Sequence, residues 1–314
     1  MYRRLTETMS TITSNYELIW VNDSSPDNAE TLLSSLAAQD ERVTVISHSR
    51  NFGSQMAFTS GMEQSLGEAV VLMDGDLQDP PEVILDFVRQ WLRDYDVVYR
   101  IRTHRDENPL MQSLRKLFYR IFHRLSYINI PLDAGDFSLM SRRVVNHLLA
   151  MPERDRFLRG LRSWVGFRQI GVPYTRAARF SGKTTNSFLD NIRWAKQGIF
   201  SFSYRPLEMI STLAFLTTLL AGSAIALYII RYLTNPDAPA GFMTLVTIML
   251  FLGAIQLFGL SVIAEYLGRI FEEVKQRPQF IVKEIINDHR IKDTKTVLLT
   301  DRETTHTFKN KKES

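Results

Sequence analysis

Residues 69–82 have the sequence AVVLMDGDLQDPPE, and the fold class follows from the pattern of this segment. Its first five residues, AVVLM, are apolar and predict a short buried strand. Three aspartates follow the strand, and the proline pair at residues 80–81 favours the start of a helix. A buried strand that leads through a polar loop into a helix is the repeating unit of an α/β fold.

The same alternation continues on both sides of this segment. Apolar runs predict strands at residues 17–21, 43–46, 69–73 and 97–99, and helical patterns cover residues 26–39, 55–66 and 81–95. Strands that alternate with helices indicate a parallel sheet covered by helices, so the predicted fold class is α/β. Ligands of such sheets bind beyond the carboxyl ends of the strands, which is where the polar clusters of this sequence occur.

Asp74 and Asp76 lie directly after the predicted strand at residues 69–73. Two carboxylates at the end of a buried strand are unfavourable unless something compensates their charge. A divalent cation such as Mg²⁺ or Mn²⁺, which prefers carboxylate, water and phosphate oxygens, would do so. The pattern therefore predicts a metal site that also binds phosphate, with an ordinary aspartate-rich turn as the alternative.

Three further polar clusters follow predicted strands or lie in predicted loops. Residues 22–25, NDSS, suit either a nucleotide or a helix-capping turn. Residues 100–105, RIRTHR, are rich in arginine, whose planar guanidinium group suits phosphate. Asp136, next to a glycine in a predicted loop, is a candidate general base, with a structural turn as the alternative.

Two runs without any charged residue occur at residues 211–230 and 241–264. A helix needs about 20 apolar residues to cross the hydrocarbon core of a bilayer, and both runs are long enough. Lysine and arginine occur before the first run and after the second, which favours a cytoplasmic position for both flanks. The sequence therefore predicts a transmembrane hairpin, with a buried helical hairpin in a globular domain as the alternative.

The composition excludes several classes of protein. The 314 residues include no cysteine, which rules out disulfide scaffolds, thiolate zinc sites and cysteine nucleophiles. The formal net charge of +4 suits an anionic partner, and no nucleic acid is expected among the partners. A soluble dinucleotide enzyme is disfavoured because no Gly-x-Gly-x-x-Gly motif follows a predicted strand.

Five motifs occur in an order that resembles a known family. They are HSRNFG at residues 48–53, DGDLQDPPE at 74–82, GDFSLMSR at 135–142, SFS at 201–203 and EYLGRIFEEVKQRP at 265–278. Together they resemble the polyprenyl-phosphate glycosyltransferases of glycosyltransferase family two, which include bactoprenol glucosyltransferases and dolichol-phosphate mannose synthases. The resemblance extends from about residue 17 to about residue 283 and implies a GT-A (Rossmann-like) catalytic domain followed by a two-helix transmembrane hairpin.

The resemblance implies an enzyme, a hexosyltransferase that passes a sugar from a nucleotide sugar to a polyprenyl phosphate lipid such as undecaprenyl phosphate. The sugar carbon is inverted in a single displacement, and Mg²⁺ or Mn²⁺ stabilises the diphosphate leaving group. UDP-glucose is the expected donor, while mannose, galactose, N-acetylated sugars and aminoarabinose derivatives stay open. The carried sugar is expected to modify a cell-surface glycan, either a polysaccharide or a teichoic acid.

The resemblance also implies roles for individual residues. Asp76, with Asp74 beside it, is expected to hold the metal, and Asp74 and Gln78 to line the diphosphate site. Asp23 is expected to contact the nucleoside. Asp136 matches an acid usually proposed as a base or acceptor-site residue, and we expect it to act by positioning because the phosphate acceptor is already ionised near neutral pH. The residues expected to bind acceptor or donor phosphates are Arg102, Arg105, Arg179 and Lys183.

The apolar runs and the motifs together predict how the chain is organised. The expected parts are a GT-A domain at residues 1–185, an amphipathic juxtamembrane helix at 186–206, transmembrane helices at 207–232 and 241–266 with an external turn at 233–240 between them, and a cytoplasmic helix with a disordered tail at 267–314. This organisation predicts a multi-pass protein of the inner (plasma) membrane with a cytoplasmic catalytic domain. Glycines in the second span permit close helix contacts, so the sequence is compatible with a homo-oligomer.

One part of the family pattern is absent. The chain opens in what resembles the first helix, so the central first strand of the family and its nucleotide-binding loop are missing, and the neighbouring strands are expected to have unpaired edges. A truncated, catalytically impaired membrane scaffold is therefore an alternative to an active enzyme. A processive polysaccharide synthase is disfavoured, because residues 190–194 read DNIRW where such synthases carry Gln-x-x-Arg-Trp.

Overall fold

A computed structural model of the chain describes residues 1–102, 134–174, 200–234 and 241–290. The chain divides into two compact units. Among the described residues, the first comprises residues 1–102, 134–174 and 278–290, and the second comprises residues 200–234 and 241–277. The chain therefore leaves the first unit before the two apolar runs and re-enters it after them.

The first unit alternates strands and helices, and every strand and helix predicted between residues 17 and 99 is present. Its strands are β1 (Leu18–Asn22), β2 (Val43–His48), β3 (Ala69–Leu72), β4 (Val97–Arg102), β5 (Ala134–Ser141), β6 (Gln169–Tyr174) and β7 (Val282–Ile286). Its helices are α1 (Tyr2–Ile12), α2 (Ala29–Gln39), α3 (Ser54–Gln64), α4 (Ile84–Trp91), α5 (Arg142–Ala150) and α6 (Leu158–Trp164). The predicted start at the proline pair is a short 3₁₀ helix, Pro81–Val83, directly before α4.

The strands form two sheets, with the orders β1-β2-β7 and β3-β5-β4-β6. β1 pairs with β2 in parallel, as expected, and β4 pairs in parallel with β6, a strand that the sequence did not predict. The expectation of a parallel sheet is wrong at β5 and β7, because β5 runs antiparallel to β3 and β4, and β7 runs antiparallel to β2. The predicted loop around Asp136 is part of β5. The sequence suggested a loop there because glycine and aspartate are depleted in strands.

β1 and β3 are the end strands of their sheets in the described part of the chain. Both therefore have one unpaired edge among the described residues, as the sequence predicted. Helix α1 contacts the cores of both sheets through Leu5. This side chain packs against an apolar cluster that includes Val45 in the first sheet and against one that includes Val98 in the second.

The second sheet has a deeply buried core. Phe137 on β5 and Phe87 on α4 are fully buried, and their ring centroids lie 4.8 Å apart. Residues 137–140 are almost completely buried, because β5 is an interior strand that contacts α4, α5 and α6. Complete burial of a large apolar side chain stabilises a fold by roughly 1.5–3 kcal/mol. The core therefore holds in place the start of β5, where Asp136 lies.

The second unit contains two long helices, α7 (Arg205–Thr234) and α8 (Phe242–Lys275). Their apolar segments, Arg205–Ile230 and Leu245–Lys275, have 26 and 31 residues and are long enough to cross a bilayer. In the most apolar part of each helix at most 6% of the residues are buried, so nearly all of the apolar side chains there are exposed. This exposure suits contact with lipid and does not fit the alternative of a buried hairpin in a globular domain.

The motifs SFS and EYLGR meet within the second unit. The Tyr266 hydroxyl donates to the carbonyl oxygen of Ser203 at 2.6 Å, and Arg269 donates to Ser201 Oγ at 2.9 Å. The ring of Tyr266 packs edge-on against Phe200, with centroids 5.1 Å apart. These contacts join the segment before α7 to α8, so both motifs contribute to the structure of this unit.

After α8 the chain forms β7, a strand that the sequence analysis did not predict. The Asn287 side chain, just beyond β7, donates to the carbonyl oxygens of Ala37 and Val43 at 2.8 and 3.0 Å and so anchors the strand beside β2. Most of the predicted juxtamembrane helix, residues 235–240 of the predicted turn and residues 291–314 of the predicted tail lie outside the described residues.

Candidate active site

The carboxyl ends of three strands meet the start of a fourth at one edge of the second sheet. β3, β4 and β6 run in one direction, and β5 runs in the opposite direction. Asp74 lies two residues beyond β3, and Arg100 lies near the end of β4. Tyr174 ends β6, and Asp136 lies near the start of β5. The fold therefore brings these four residues together at the edge where α/β sheets bind ligands.

Four aspartates lie close together at this edge. Burial, together with the negative charges of Asp136, Asp76 and Asp79, raises the pKa of Asp74 to about 6 against the opposing effect of Arg100. Such crowding of carboxylates is unfavourable unless a proton or a cation compensates the charge. The edge therefore has the electrostatics that would stabilise a bound divalent cation.

Asp76 and Gln78 belong to a tight turn beyond Asp74. Asp76 Oδ1 accepts a hydrogen bond from the Gln78 backbone N–H at 3.0 Å, and Leu77 between them has a left-handed φ of 58°. Within the described ranges, no three His, Cys, Asp or Glu side chains form a group that could hold a metal by themselves. Mg²⁺ commonly binds through one or two carboxylates together with water and phosphate oxygens. Asp74 and Asp76 fit a cation of that kind, shared with a diphosphate.

A buried ion pair lies next to these carboxylates. Arg100 donates to Asp79 and to the Tyr174 hydroxyl, which itself donates to Asp79 Oδ1 at 2.8 Å. Asp79 and Arg100 are only 1% and 4% exposed. A Cβ atom at Gly135 would clash with the Arg100 guanidinium, so this position requires glycine. Arg100, part of the arginine-rich run predicted to suit phosphate, therefore has a structural role.

Asp136 faces an arginine that the sequence analysis did not single out. Arg159 on α6 donates from Nε to Oδ1 at 2.8 Å and from Nη2 to Oδ2 at 2.7 Å. Burial acts to raise the pKa of Asp136, but the charge and hydrogen bonds of Arg159, with the charges of Arg162 and Arg100, outweigh it and lower that pKa. Asp136 is therefore ionised at neutral pH with both oxygens engaged, which suits positioning better than proton transfer.

Arg162 is a second arginine on α6 that the sequence analysis missed. It is buried, donates to the carbonyl oxygen of Gly135 at 3.1 Å, and lies 5.2 Å from the centroid of the Tyr99 ring. Burial lowers its pKa to about 10, so it stays charged at neutral pH. Arg159 and Arg162 are three residues apart, a spacing that places both on one helix face. That spacing is the sequence signal that could have identified them.

Asp23 follows β1 and lies beside the end of β2. Its Oδ1 atom lies 2.8 Å from His48 Nδ1 and accepts a hydrogen bond from the Phe52 N–H at 2.9 Å, while Oδ2 accepts one from the Gly53 N–H at 2.7 Å. Gly53, immediately before α3, has a φ of 94°, which glycine adopts without strain. The HSRNFG motif therefore surrounds the carboxylate that the resemblance assigns to the nucleoside.

The predicted phosphate ligands are only partly within the described residues. Arg102 is the last residue of β4 and so lies at the same sheet edge as Asp74. Arg105, Arg179 and Lys183 lie outside the described residues. The structure thus brings the predicted metal and diphosphate residues to the strand end that carries Arg102.

Known proteins of similar sequence identify the family. A family profile described as glycosyl transferase family 2 matches residues 2–149. The chain is 40% identical to an uncharacterized glycosyltransferase of Synechocystis, over 91% of this chain and 90% of the relative. It is also 40% identical to the uncharacterized glycosyltransferase YkcC of Bacillus subtilis, over 90% of this chain and 88% of the relative. A prophage bactoprenol glucosyl transferase homolog of Escherichia coli is 36% identical, over 86% of this chain and 88% of the relative.

An α/β domain with acidic side chains at the carboxyl ends of its strands is typical of the GT-A glycosyltransferases. The chain belongs to glycosyltransferase family 2 and is a glycosyltransferase. The resemblance inferred from the five motifs is thereby confirmed. The alternative of a non-enzymatic scaffold is not supported.

Proposed function

We propose that this glycosyltransferase transfers a hexose from a nucleotide sugar, UDP-glucose, to a polyprenyl phosphate such as undecaprenyl phosphate. The proposal is carried by the combination of two features in one chain. Asp74 and Asp76 lie close together at the sheet edge, and two exposed, apolar helices are long enough to cross a membrane. The first feature suits a charged donor, and the second suits a lipid acceptor. Further support comes from relatives at 34–36% identity that carry the name bactoprenol glucosyl transferase.

The donor half of the proposal assigns Asp76 and Asp74 to a Mg²⁺ or Mn²⁺ ion and Gln78 to the diphosphate. The ion supplies positive charge that stabilises the diphosphate as it leaves the sugar. Asp23 accepts a hydrogen bond from the nucleoside. The raised pKa of Asp74 supports the assignment, because burial and the nearby carboxylates of Asp136, Asp76 and Asp79 disfavour its charged form, which a bound cation would favour.

The acceptor half of the proposal needs no general base. A phosphate monoester is already ionised near neutral pH, so its oxygen can attack the sugar carbon directly and invert it. Asp136 acts as a positioning residue, because its ionised carboxylate holds the guanidinium of Arg159 at the sheet edge. The remaining cations proposed to bind acceptor or donor phosphates are Arg102, Arg105, Arg179 and Lys183.

The membrane part of the proposal has α7 and α8 crossing the inner (plasma) membrane as a hairpin, with the catalytic unit on the cytoplasmic side. Lysine and arginine on both flanks support this orientation. The product then supplies the sugar for a cell-surface glycan. A homo-oligomer is part of the proposal, because Gly253 and Gly268 face open space in one copy and leave room for another helix.

Membranes that contain the chain test the proposal with radiolabelled UDP-glucose, undecaprenyl phosphate and Mn²⁺. We expect label in the lipid fraction, and we expect a metal chelator to abolish it. Asp76→Asn should lower transfer by roughly 100-fold, the scale seen when one electrostatic contact to a developing charge is lost. Asp86→Asn is the matched control, because Asp86 is an exposed carboxylate on α4 that pairs with Arg89.

Equal activity of the Asp76→Asn and Asp86→Asn variants would contradict the metal site. Transfer at the full rate without any divalent cation would do the same. If label enters the lipid only from another nucleotide sugar, UDP-glucose is the wrong donor, but the proposed transfer to polyprenyl phosphate still holds.

A further inference from the structure

A buried side-chain network links Asp23 to the segment that follows α8. The His48 side chain is completely buried, with Nδ1 2.8 Å from Asp23 Oδ1 and Nε2 2.9 Å from Ser60 Oγ. The Phe280 ring stacks on the imidazole, with centroids 5.2 Å apart and an interplanar angle of 16°. Phe280 lies beyond the end of α8. A residue located after the second membrane-length helix therefore covers the histidine that contacts Asp23.

Contacts within the described part of the chain leave one hydrogen-bonding position on the carboxylate of Asp23. A carboxylate offers about four lone-pair positions. Among the described residues, His48 and the Phe52 N–H occupy Oδ1, and the Gly53 N–H occupies one position on Oδ2. The Asp23 side chain is 15% exposed, so the last position on Oδ2 can accept a hydrogen bond from a ligand N–H or O–H group. The three surrounding donors determine where that position points.

Backbone pairing holds Phe280 against His48. The Ser49 N–H donates to the carbonyl oxygen of Ile281 at 2.9 Å, next to the stacked rings. The chain then continues as β7, in which Val282 lies opposite His48 in the antiparallel pairing with β2. His48 is thereby held between Ser60 of α3 on one side and the re-entering segment on the other.

We propose that His48 and Phe280 are positioning residues for the donor nucleotide, so that the segment after α8 orients Asp23 for the nucleoside. This inference rests on the proposed role of Asp23. It assigns part of the chain after the membrane-length helices to the donor half of the site. An aromatic pair contributes enough energy that loss of the Phe280 ring should weaken nucleotide binding by about 2- to 10-fold.

The test uses the full-length protein in lipid nanodiscs. Calorimetric titration with UDP in the presence of Mn²⁺ measures nucleotide binding, and steady-state assays vary UDP-glucose and undecaprenyl phosphate separately. Phe280→Leu keeps an apolar side chain but removes the ring. His48→Asn keeps an N–H group near the position of Nδ1, whereas His48→Leu removes it. Ile281→Ala is the matched control, because this side chain on the same segment is 53% exposed.

We expect Phe280→Leu and His48→Leu to weaken UDP binding and raise the donor KM by about 2- to 10-fold. The acceptor KM should stay unchanged, because the network acts through Asp23, which is proposed to bind the donor nucleoside. His48→Asn should recover most of the UDP affinity, and Ile281→Ala should match the wild type.

Unchanged UDP binding in both Phe280→Leu and His48→Leu would overturn the proposal. The proposal would also be overturned if the variants raise the donor KM and the acceptor KM equally and lower the melting temperature in parallel. That result would indicate a purely structural role. Wild-type protein that binds UDP but transfers no glucose to undecaprenyl phosphate would refute the proposed sugar or acceptor and leave this inference standing. Wild-type protein that binds neither UDP nor GDP would refute the role of Asp23 and this inference with it.

Discussion

Arg159→Gln is the substitution that tests the candidate active site most directly. It removes the opposing charge and two hydrogen bonds from Asp136 but leaves a polar side chain. The Asp136 and Arg159 side chains are 12% and 25% exposed, so water replaces the lost partner poorly. Loss of one partner from a buried ion pair costs about 3–5 kcal/mol. At about 2–4 °C per kcal/mol for a domain of this size, the melting temperature should fall by roughly 6–20 °C.

The pH dependence of this effect has a definite sign. In the wild type the arginines lower the pKa of Asp136 in spite of burial, so the ionised carboxylate stabilises the fold above its unfolded-state pKa, and this contribution is lost as the pH falls. In the Arg159→Gln variant, Arg159 no longer offsets the effect of burial, so the pKa of Asp136 rises. Protonation then relieves the buried charge, so the difference in melting temperature between variant and wild type should narrow as the pH falls toward about 4, the ordinary pKa of an aspartate.

Thermal unfolding in detergent, monitored by intrinsic fluorescence at several pH values across this range, measures the difference in melting temperature. Arg89→Gln is the matched control, because Arg89 also pairs with an aspartate, Asp86, but the two side chains are 63% and 52% exposed. An exposed pair contributes about 0–1 kcal/mol, so the control should lose only a few degrees. Equal shifts for the two variants, or a difference that widens as the pH falls, would refute the reasoning.

Two further substitutions test the surroundings of the site. Gly135→Ala should destabilise the protein by about 3–5 kcal/mol, because a Cβ atom there forces the buried Arg100 away from Asp79. Thermal unfolding checks this against Gly75→Ala, where the space around the added atom is open. Asp74→Asn removes one charge from the crowded carboxylates, so the metal-free protein should gain about 1–3 kcal/mol at neutral pH while Mn²⁺ titration shows weaker binding. Unchanged Mn²⁺ affinity would remove Asp74 from the proposed metal site.

Local patterns were sufficient to predict the acidic part of the candidate site. Asp74 and Asp76 were identifiable because an apolar strand, an acidic loop and a proline pair follow one another within residues 69–82. Asp23 was identifiable by the same rule, since it directly follows the strand β1. In each case the information lies within one strand and the loop after it.

Partners that come from distant segments could not be predicted in this way. Arg159 is 23 residues from Asp136, and Tyr174 is 95 residues from Asp79. The strand β7 was missed for the same reason, because only pairing with β2, more than 200 residues earlier, makes a strand of its short half-exposed sequence. The arginine-rich run at residues 100–105 was interpreted as a whole, and only the fold shows that Asp79 neutralises Arg100 within it.

The amino-acid sequence alone established the α/β class, the glycosyltransferase family, the acidic loop after β3 and the two apolar helices. The fold class, the acidic loop and the helices depend on periodicity and chemistry within about 20 neighbouring residues, whereas the family was inferred from the resemblance of five motifs along the chain. The tertiary structure decided that the Asp74 carboxylate is crowded and that arginines neutralise Asp79 and Asp136. It also decided that His48 holds the Asp23 carboxylate. Burial and opposing charge set the state of an ionisable group, and both come from side chains that only folding brings within a few ångströms.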